Sequence, residues 1–319
     1  MDYKAIIIDA LSKLRKQEIA NKQPFKARAY AQAIESLNTL DKITSLDDVE
    51  NLPKIGEKIR AKIDEILTTG KLERLEIEDN VTKVITELTR VHGIGPSKAR
   101  EFYDLDIRSI EDLRTKNPDL TKAQQIGLKY LEEFEARIPR LELSKHEAYI
   151  KTKFEDINPK LNVTVVGSYR RGAKDSGDID IIISHSDDPE NIENELKDIV
   201  NAMKKDKYLT DDLALGSHKY LGVCRLKHYR KHRRIDFLYS RAHEYPFSLL
   251  YFTGSKEFNV YLRNLAIAKG LSLSEYGLKK NKSLIKEEFK TEENILKYLG
   301  CTYVPPTERN KGTFEKYCV

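Results

Sequence analysis

At 319 residues the chain has room for roughly two to four small domains. Hydrophobic residues make up 39% and charged residues 34%, so each domain can build a modest core, and no apolar run approaches a membrane span. Net charge is only +5, so its distribution matters more than its sum. The N-terminus lacks a long apolar stretch and a small-residue cleavage site, and no signal peptide is read. Cys224, Cys301 and Cys318 are odd in number and widely spaced. That argues against a disulfide framework and a Cys-rich zinc site, and fits a reducing intracellular compartment.

Residues 1–75 read as all-helical, with Leu11, Leu14 and Ile19 at helical spacing, a break at Pro24 and a helix over Ala27 to Leu37. Lys13, Arg15, Lys16, Lys22, Lys26 and Arg28 face Glu18 alone, which suggests a polyanion partner. Ser45 to Asp48 reads as a helix start. Leu52-Pro53-Lys54-Ile55-Gly56 then leads into a helix that Gly70 closes. Lys58 and Lys62 share one face of that helix. A lysine beside other cations is easier to use as a nucleophile, although a plain exposed lysine has the same pattern.

His92-Gly93-Ile94-Gly95-Pro96 repeats the idea about 39 residues on, again between helices and followed by basic residues. Gly93 and Gly95 allow a tight turn whose backbone N–H groups can grip a phosphate without reading bases. One copy would be an ordinary αα-turn; two favour binding to a nucleic-acid backbone. More helix follows over Thr121 to Ile138, and Pro139 reads as a helix end.

Residues 140–242 read as α/β. Val163 to Val166 is a buried strand, Gly167-Ser168 a turn into a short helix, and Asp178-Ile179-Asp180 the opening of a second strand. Both carboxylates point one way, and such a pair needs a cation between them, Mg²⁺ being the hard ion that suits oxygen ligands. The Gly-Ser turn with Arg171 suits nucleotide phosphates. A covering helix runs from Ile192 to Met203. Strands follow at Leu221 to Leu226 and Arg234 to Tyr239, placing Asp236 as a third acid on the same side. Three carboxylates can hold two metals and support in-line phosphoryl transfer. Arg225, Lys227, Arg230, Lys231, Arg233 and Arg234 form a second basic cluster, in which His228 and His232 stand without further zinc ligands. Residues 243–319 read as a last α/β part.

Gly167-Ser168-x-Arg170-Arg171-Gly172 followed by Asp178-x-Asp180 resembles the nucleotidyltransferase signature in the form carried by the X family of DNA polymerases, most closely its beta branch. The resemblance covers nearly the whole chain, and the two turns at Gly56 and Gly93–Gly95 match its helix-hairpin-helix motifs. It implies a multidomain α and α+β fold: an all-helical N-terminal domain with two hairpins, a nucleotidyltransferase palm with a mixed sheet, and a C-terminal α/β subdomain. The domains are expected at 1–77 (DNA binding and deoxyribose-phosphate lyase), 78–139 (helix-hairpin-helix), 140–242 (palm) and 243–319 (nucleotide selection).

By this resemblance Asp178, Asp180 and Asp236 hold two Mg²⁺ ions, with Mn²⁺ as substitute. Asp236 also assists deprotonation of the primer hydroxyl. Arg137, Ser168, Arg171, Ser176 and Gly177 hold the triphosphate. Tyr251 and Phe252 exclude a 2′-hydroxyl, Gly254 also binds the nucleotide, and Asn259 touches the incoming base. Lys62 forms a Schiff base with a 5′-deoxyribose phosphate, which Lys58 helps to bind. Lys26, Arg28, Gly56, Gly93, Gly95, Arg234 and Arg263 bind DNA. Backbone carbonyls of Glu50, Leu52 and Ile55, and of Thr89, Val91 and Ile94, hold Na⁺ or K⁺. Arg74 stands where the family has a lysine. Leu238, Lys256 and Val260 also depart from it, which bears on fidelity and closure rather than on chemistry. The stretch before Asp236 carries no long insertion of the kind that frees terminal transferases from a template, and no extra N-terminal domain is expected.

The implied function is template-directed filling of short gaps in base excision repair, with lyase activity. The alternatives are a polymerase without lyase activity and a non-catalytic gap-binding scaffold. The implied partners are gapped or nicked double-stranded DNA and deoxynucleoside triphosphates, with no membrane and a monomeric state. The compartment is the nucleus of a eukaryotic host, or the cytoplasm or virion if the chain is viral.

Overall fold

The structure, a computed structural model, describes residues 1–20, 23–116, 118–185, 187, 192–310 and 312–318. Lys22 of the first basic cluster lies outside the described residues. The chain divides into two compact units, Met1–Arg90 with Ile94–Asn117, and Val91–Gly93 with Pro118–Val319.

The first unit is helical. Helices α1 (Lys4–Ala20) and α2 (Pro24–Asn38) pair, and Pro24 opens α2 at a position where its missing N–H has no partner to lose. Gly56 caps α3 (Glu57–Thr69), and Gly70 stops it in the left-handed conformation. Helix α4 (Glu73–Leu88) runs through residue 77, followed by α5 (Pro96–Asp104) and α6 (Ile110–Thr115). Leu11, Leu14, Leu37, Ile63 and Ile66 form the centre of the core. The helix start read at Ser45–Asp48 is only one 3-10 turn, Asp47–Val49. The Asp48 carboxylate takes the N–H groups of Thr44 and Ser45, which folds the backbone back on itself.

The second unit opens with α7 (Lys122–Lys129), held by a capping box of Thr121 and Gln124, and α8 (Leu131–Glu135). The single helix expected over 121–138 is therefore two short ones. A two-residue strand β1 (Ile138–Pro139) follows, and Pro139 caps the start of α9 (Arg140–Ile157) rather than ending a helix. The chain continues through β2 (Leu161–Val165), α10 (Gly167–Arg170), β3 (Asp175–Ser176), β4 (Ile179–His185), α11 (Ile192–Lys205), β5 (Leu209–Leu215), β6 (Lys219–Cys224) and β7 (Arg233–Tyr239). Five strands form one mixed sheet in the order β2-β4-β7-β6-β5, in which β4 and β7 are parallel and the other pairs antiparallel. Its core joins Ile179, Ile181 and Phe237 of the sheet to Ile150 and Phe154 of α9 and Leu196 and Ile199 of α11.

The C-terminal part has its own core around Phe258, Leu262, Ile295 and Leu296. It contains α12 (Tyr245–Thr253), α13 (Lys256–Ala268), the antiparallel strands β8 (Leu271–Ser274), β9 (Gly277–Lys280) and β10 (Ser283–Leu284), and α14 (Glu292–Leu299). Cys301 and Cys318 are bonded to each other, which corrects the reading that no disulfide forms. An odd count still leaves one pair, and an antiparallel backbone bridge between residues 301 and 318 brings these two together. Cys224 is a free, buried thiol. Among the described residues no helix is long and apolar enough to cross a membrane.

Candidate active site

Three acids meet at one end of the sheet. Asp180 and Asp236 are directly paired across the parallel strands β4 and β7, and Asp178 immediately precedes β4. Burial, then the charges of Asp178 and Asp236, push the Asp180 carboxyl up to about 7. Burial pushes Asp236 up to about 6, with Asp178 adding to it and Arg234 opposing it. Arg234 donates through Nη2 to Asp178 Oδ2, its Nη1 faces His92 Nδ1 at 3.5 Å, and its Nε is buried without a partner. Among the described residues no three His, Cys, Asp or Glu side chains converge on a ready-made cation site. The donor chemistry nevertheless fits a divalent cation: hard carboxylate oxygens crowded and buried together, a strain that Mg²⁺ would relieve.

The phosphate-type turn lies against these acids. Gly167 has φ 61°, and a Cβ there would sit 2.2 Å from Asp180 Oδ2, so only glycine lets the turn approach the carboxylate. Ser168 Oγ donates to Ser176 Oγ at 2.8 Å. Arg137 donates through Nε to Asp175 Oδ1 at 2.8 Å, and its Nη1 lies 3.1 Å from the position a Gly177 Cβ would take. Arg171 donates through Nη1 to the Thr253 carbonyl at 2.6 Å and through Nε to Asn310 Oδ1 at 3.2 Å. Ser168 and Ser176 are thus joined to each other, Arg137 stands beside Gly177, and Arg171 is held by Thr253 and Asn310. Asp175, Thr253 and Asn310 are partners added by the fold. None carries a local signal, since Thr253 and Asn310 reach Arg171 from distant parts of the chain.

Tyr251 and Phe252 close α12, their rings edge to face at 5.0 Å. Gly254 follows with φ 68°, and a Cβ there would stand 3.3 Å from Arg171 Nη1. Asn259 donates to the Tyr251 carbonyl at 2.7 Å, and the Arg263 guanidinium lies over the Tyr251 ring at 5.0 Å. Tyr251 thus gathers Asn259 and Arg263 around it, and the three line one small cavity.

The second basic cluster is partly internal. Arg233 is 3% exposed and grips Glu142 with Nε and Nη2, Arg234 serves Asp178, and His232 is held by Glu133. Alternation along β7 turns Arg233 into the core.

In the helical unit, Lys26, Gly56, Lys58 and Lys62 line a cavity of about 530 Å³ with Glu18, Tyr30, Lys54 and Arg74. Arg28 is not among its lining residues. Lys62 Nζ donates to the Lys58 carbonyl at 2.9 Å, and Lys26 Nζ lies 3.9 Å from the buried Glu18 carboxylate. Glu18 and Tyr30 are lining residues that sequence reasoning missed. The signal was available in Glu18, the sole acid in a basic run. At the first hairpin, Gly56 leaves the N-terminus of α3 without a side-chain cap, and Arg60 Nη2 donates to the Glu50 carbonyl at 2.8 Å. Leu52 and Ile55 lie on the same turn, Ile55 buried. At the second hairpin, Thr89 caps α4, Ile94 is buried and Gly95 caps α5. Val91 is buried, and Gly93, with φ 86°, gives its carbonyl to Gln124 Nε2 at 2.9 Å.

Four family profiles match in chain order: a helix-hairpin-helix domain over residues 3–72, the fingers domain of DNA polymerase lambda over 86–135, the DNA polymerase beta palm over 137–242 and the DNA polymerase beta thumb over 248–310. The chain is 33% identical to DNA polymerase lambda of Rattus norvegicus, with 97% of this chain and 56% of that protein aligned. It is also 33% identical to DNA polymerase lambda of Arabidopsis thaliana, over 84% of this chain and 55% of that protein. A DNA nucleotidylexotransferase of Xenopus laevis is 28% identical over 84% of this chain and 60% of that protein. The chain therefore spans between 55% and 60% of the length of these relatives. Palm and thumb profiles of beta type, a fingers profile of lambda type, and relatives of lambda and transferase type all match, so the likeness is to the X-family architecture and does not single out the beta branch.

Proposed function

The chain has the domain architecture of an X-family DNA polymerase, and we propose that it is a template-directed polymerase that fills short gaps in DNA. The observation that supports this most is the side-by-side placement of Asp180 and Asp236, with Asp178 beside them, against a cradle of Ser168, Ser176, Arg137 and Arg171. In this reading Asp178, Asp180 and Asp236 hold two Mg²⁺ ions, which supply Lewis-acid charge neutralisation at the reacting phosphorus. Ser168 and the N–H groups of the Gly167 turn donate to the triphosphate, and Arg171 and Arg137 balance its charge. Asp236 takes the proton of the attacking 3′-hydroxyl. Tyr251 and Phe252 lie under the sugar and leave no room for a 2′-hydroxyl, and Asn259 and Arg263 meet the base pair. The four divisions 1–77, 78–139, 140–242 and 243–319 carry lyase, hairpin, palm and nucleotide-selection roles.

The lined cavity of the helical unit supports a lyase step. Lys62 Nζ attacks C1′ of a 5′-deoxyribose phosphate, with water leaving as the Schiff base forms. Lys58, Lys26, Lys54 and Arg74 supply the positive charge for its phosphate. The hairpins at Gly56 and Gly93–Gly95 grip DNA phosphates, and their carbonyls hold Na⁺ or K⁺, with the Glu50 carbonyl shared with Arg60.

The test of the polymerase reading is templated addition at a one-nucleotide gap bearing a 5′-phosphate, with each of the four template bases in turn. Addition of only the matched deoxynucleotide is the expected result. Addition without regard to template, or none despite gap binding, overturns it.

A further inference from the structure

The thumb profile ends at residue 310, and the chain runs on. Its tail folds back. Cys318 is bonded to Cys301, and the Thr302 N–H donates to the Tyr317 carbonyl at 2.9 Å. Phe314 is 3% exposed and packs against Phe258 and Tyr261, with ring centres 5.2 and 5.3 Å away.

The loop closed in this way carries two residues that reach the phosphate cradle. Asn310 Oδ1 accepts from Arg171 Nε at 3.2 Å. Arg309 is fully buried, and its carbonyl accepts from the Ser255 N–H at 3.2 Å. Arg309 Nη1 donates to Glu292 Oε1 at 2.6 Å. The two Glu292 oxygens also take Arg170 Nη1 and Nη2 at 3.0 and 2.8 Å, and Arg170 Nη1 reaches Thr253 Oγ1 at 2.7 Å. Both arginines of the Gly-Ser turn are thus held from the end of the chain.

We propose that Asn310 and Arg309 are positioning residues for the triphosphate cradle, and that the Cys301–Cys318 bond sets how firmly they hold it, so that nucleotide affinity follows the thiol state. What the cradle holds rests on the polymerase reading above; the link between bond and cradle does not. Reduction is a thiol–disulfide exchange. A thiolate of a dithiol attacks one cysteine sulfur, the protein S–S bond breaks, and the second thiolate of the dithiol closes its own disulfide. Two electrons and two protons pass to the protein, leaving two thiols. The bond spans 17 residues, so its loss frees the tail to leave Phe258 and lets the Asn310 and Arg309 contacts loosen.

The experiment compares the oxidised full chain with the same protein after dithiothreitol, with thiols counted by alkylation. KM for the matched deoxynucleotide and kcat are measured at a one-nucleotide gap, and hydrogen exchange is followed over 302–310 and 252–255. Reduction is expected to raise KM about three- to tenfold while kcat moves less than about twofold, and to speed exchange in both segments. Cys318→Ser should behave as the reduced protein and ignore dithiothreitol. Asn310→Ala should raise KM about tenfold in the oxidised protein and by less in the reduced one, where that contact is already loosened. Three alkylatable thiols in the oxidised protein, equal KM in the two states, or an unchanged KM in Asn310→Ala overturns the proposal. If the protein adds no nucleotide at all, the polymerase reading fails instead. Hydrogen exchange then decides the link by itself, and exchange indifferent to reduction overturns it.

Discussion

Gly167 and Asp180 face each other so closely that a single methyl group at Gly167 would stand 2.2 Å from the Asp180 carboxylate. The turn that offers N–H groups to a phosphate and the acid that would hold a cation are therefore one packed unit. Gly167→Ala adds both a clash and a left-handed φ of 61°, and should cost about 1–3 kcal/mol of stability. Incorporation should fall at least about tenfold, because the carboxylate and the turn cannot both keep their places. Urea unfolding and single-turnover incorporation read the two effects separately.

His146 gives the palm a defined acid sensitivity. It is completely buried, with Nδ1 2.7 Å from the Tyr208 hydroxyl, Nε2 unpartnered and the Arg233–Glu142 pair close by. Burial, then Arg233, pushes its pKa down from 6.5 to about 3. The folded state therefore keeps His146 neutral where the unfolded chain would protonate it. Its contribution is complete above pH 6.5 and declines as pH falls towards 3, by at most about 1.4 kcal/mol per unit. Urea midpoints at pH 7.5, 6 and 5 should drop more steeply in the native protein than in His146→Gln. Parallel slopes would contradict this.

The Arg233–Glu142 pair is the second point of stability. Glu142 is 7% and Arg233 3% exposed, and two hydrogen bonds of 2.7 and 2.9 Å join them. Glu142→Ala leaves a buried guanidinium uncompensated and should cost about 3–5 kcal/mol. The double variant Glu142→Leu, Arg233→Met should cost clearly less, since no charge is left stranded. Chemical denaturation of the native protein, Glu142→Leu, Arg233→Met and the double variant closes the cycle.

Lys62 is the side chain on which the lyase reading depends. Borohydride should trap a covalent adduct between the native protein and 5′-deoxyribose-phosphate DNA, and Lys62→Ala should lose at least about nine-tenths of it. An undiminished adduct in Lys62→Ala would place the nucleophile elsewhere, with Lys58 and Lys54 the next to substitute in the same cavity.

What was legible in the sequence was whatever a short stretch carries by itself. The acids Asp178 and Asp180, the Gly167-Ser168 turn and the hairpin glycines are each a few adjacent residues, and β2, β4 and β7 follow runs of Val, Ile and Phe. Helix α9 is less legible, because Glu142 and His146 interrupt its buried face of Leu143, Ile150 and Phe154. Strand β5 is hidden by Asp211 and Asp212, acids unfavourable in a strand, which Tyr130 and Lys204 hold at 2.7 and 2.6 Å. The clamp on Arg170 and Arg171 has no local signature at all, since Glu292 and Asn310 come from 122 and 139 residues away. The disulfide escaped because an odd cysteine count says nothing about which two sulfurs the fold brings together.

The central claim is that the three acids form the catalytic centre of a polymerase. The most direct measurement is addition of one deoxynucleotide to a one-nucleotide gap with a 5′-phosphate, in Mg²⁺, by the native protein and by Asp236→Ala, with gap binding measured alongside. The account predicts addition by the native protein, a fall of at least about a thousandfold in the variant, and gap binding within about threefold in both. Addition by Asp236→Ala at the native rate, or a native protein that binds the gap and adds nothing, would contradict it.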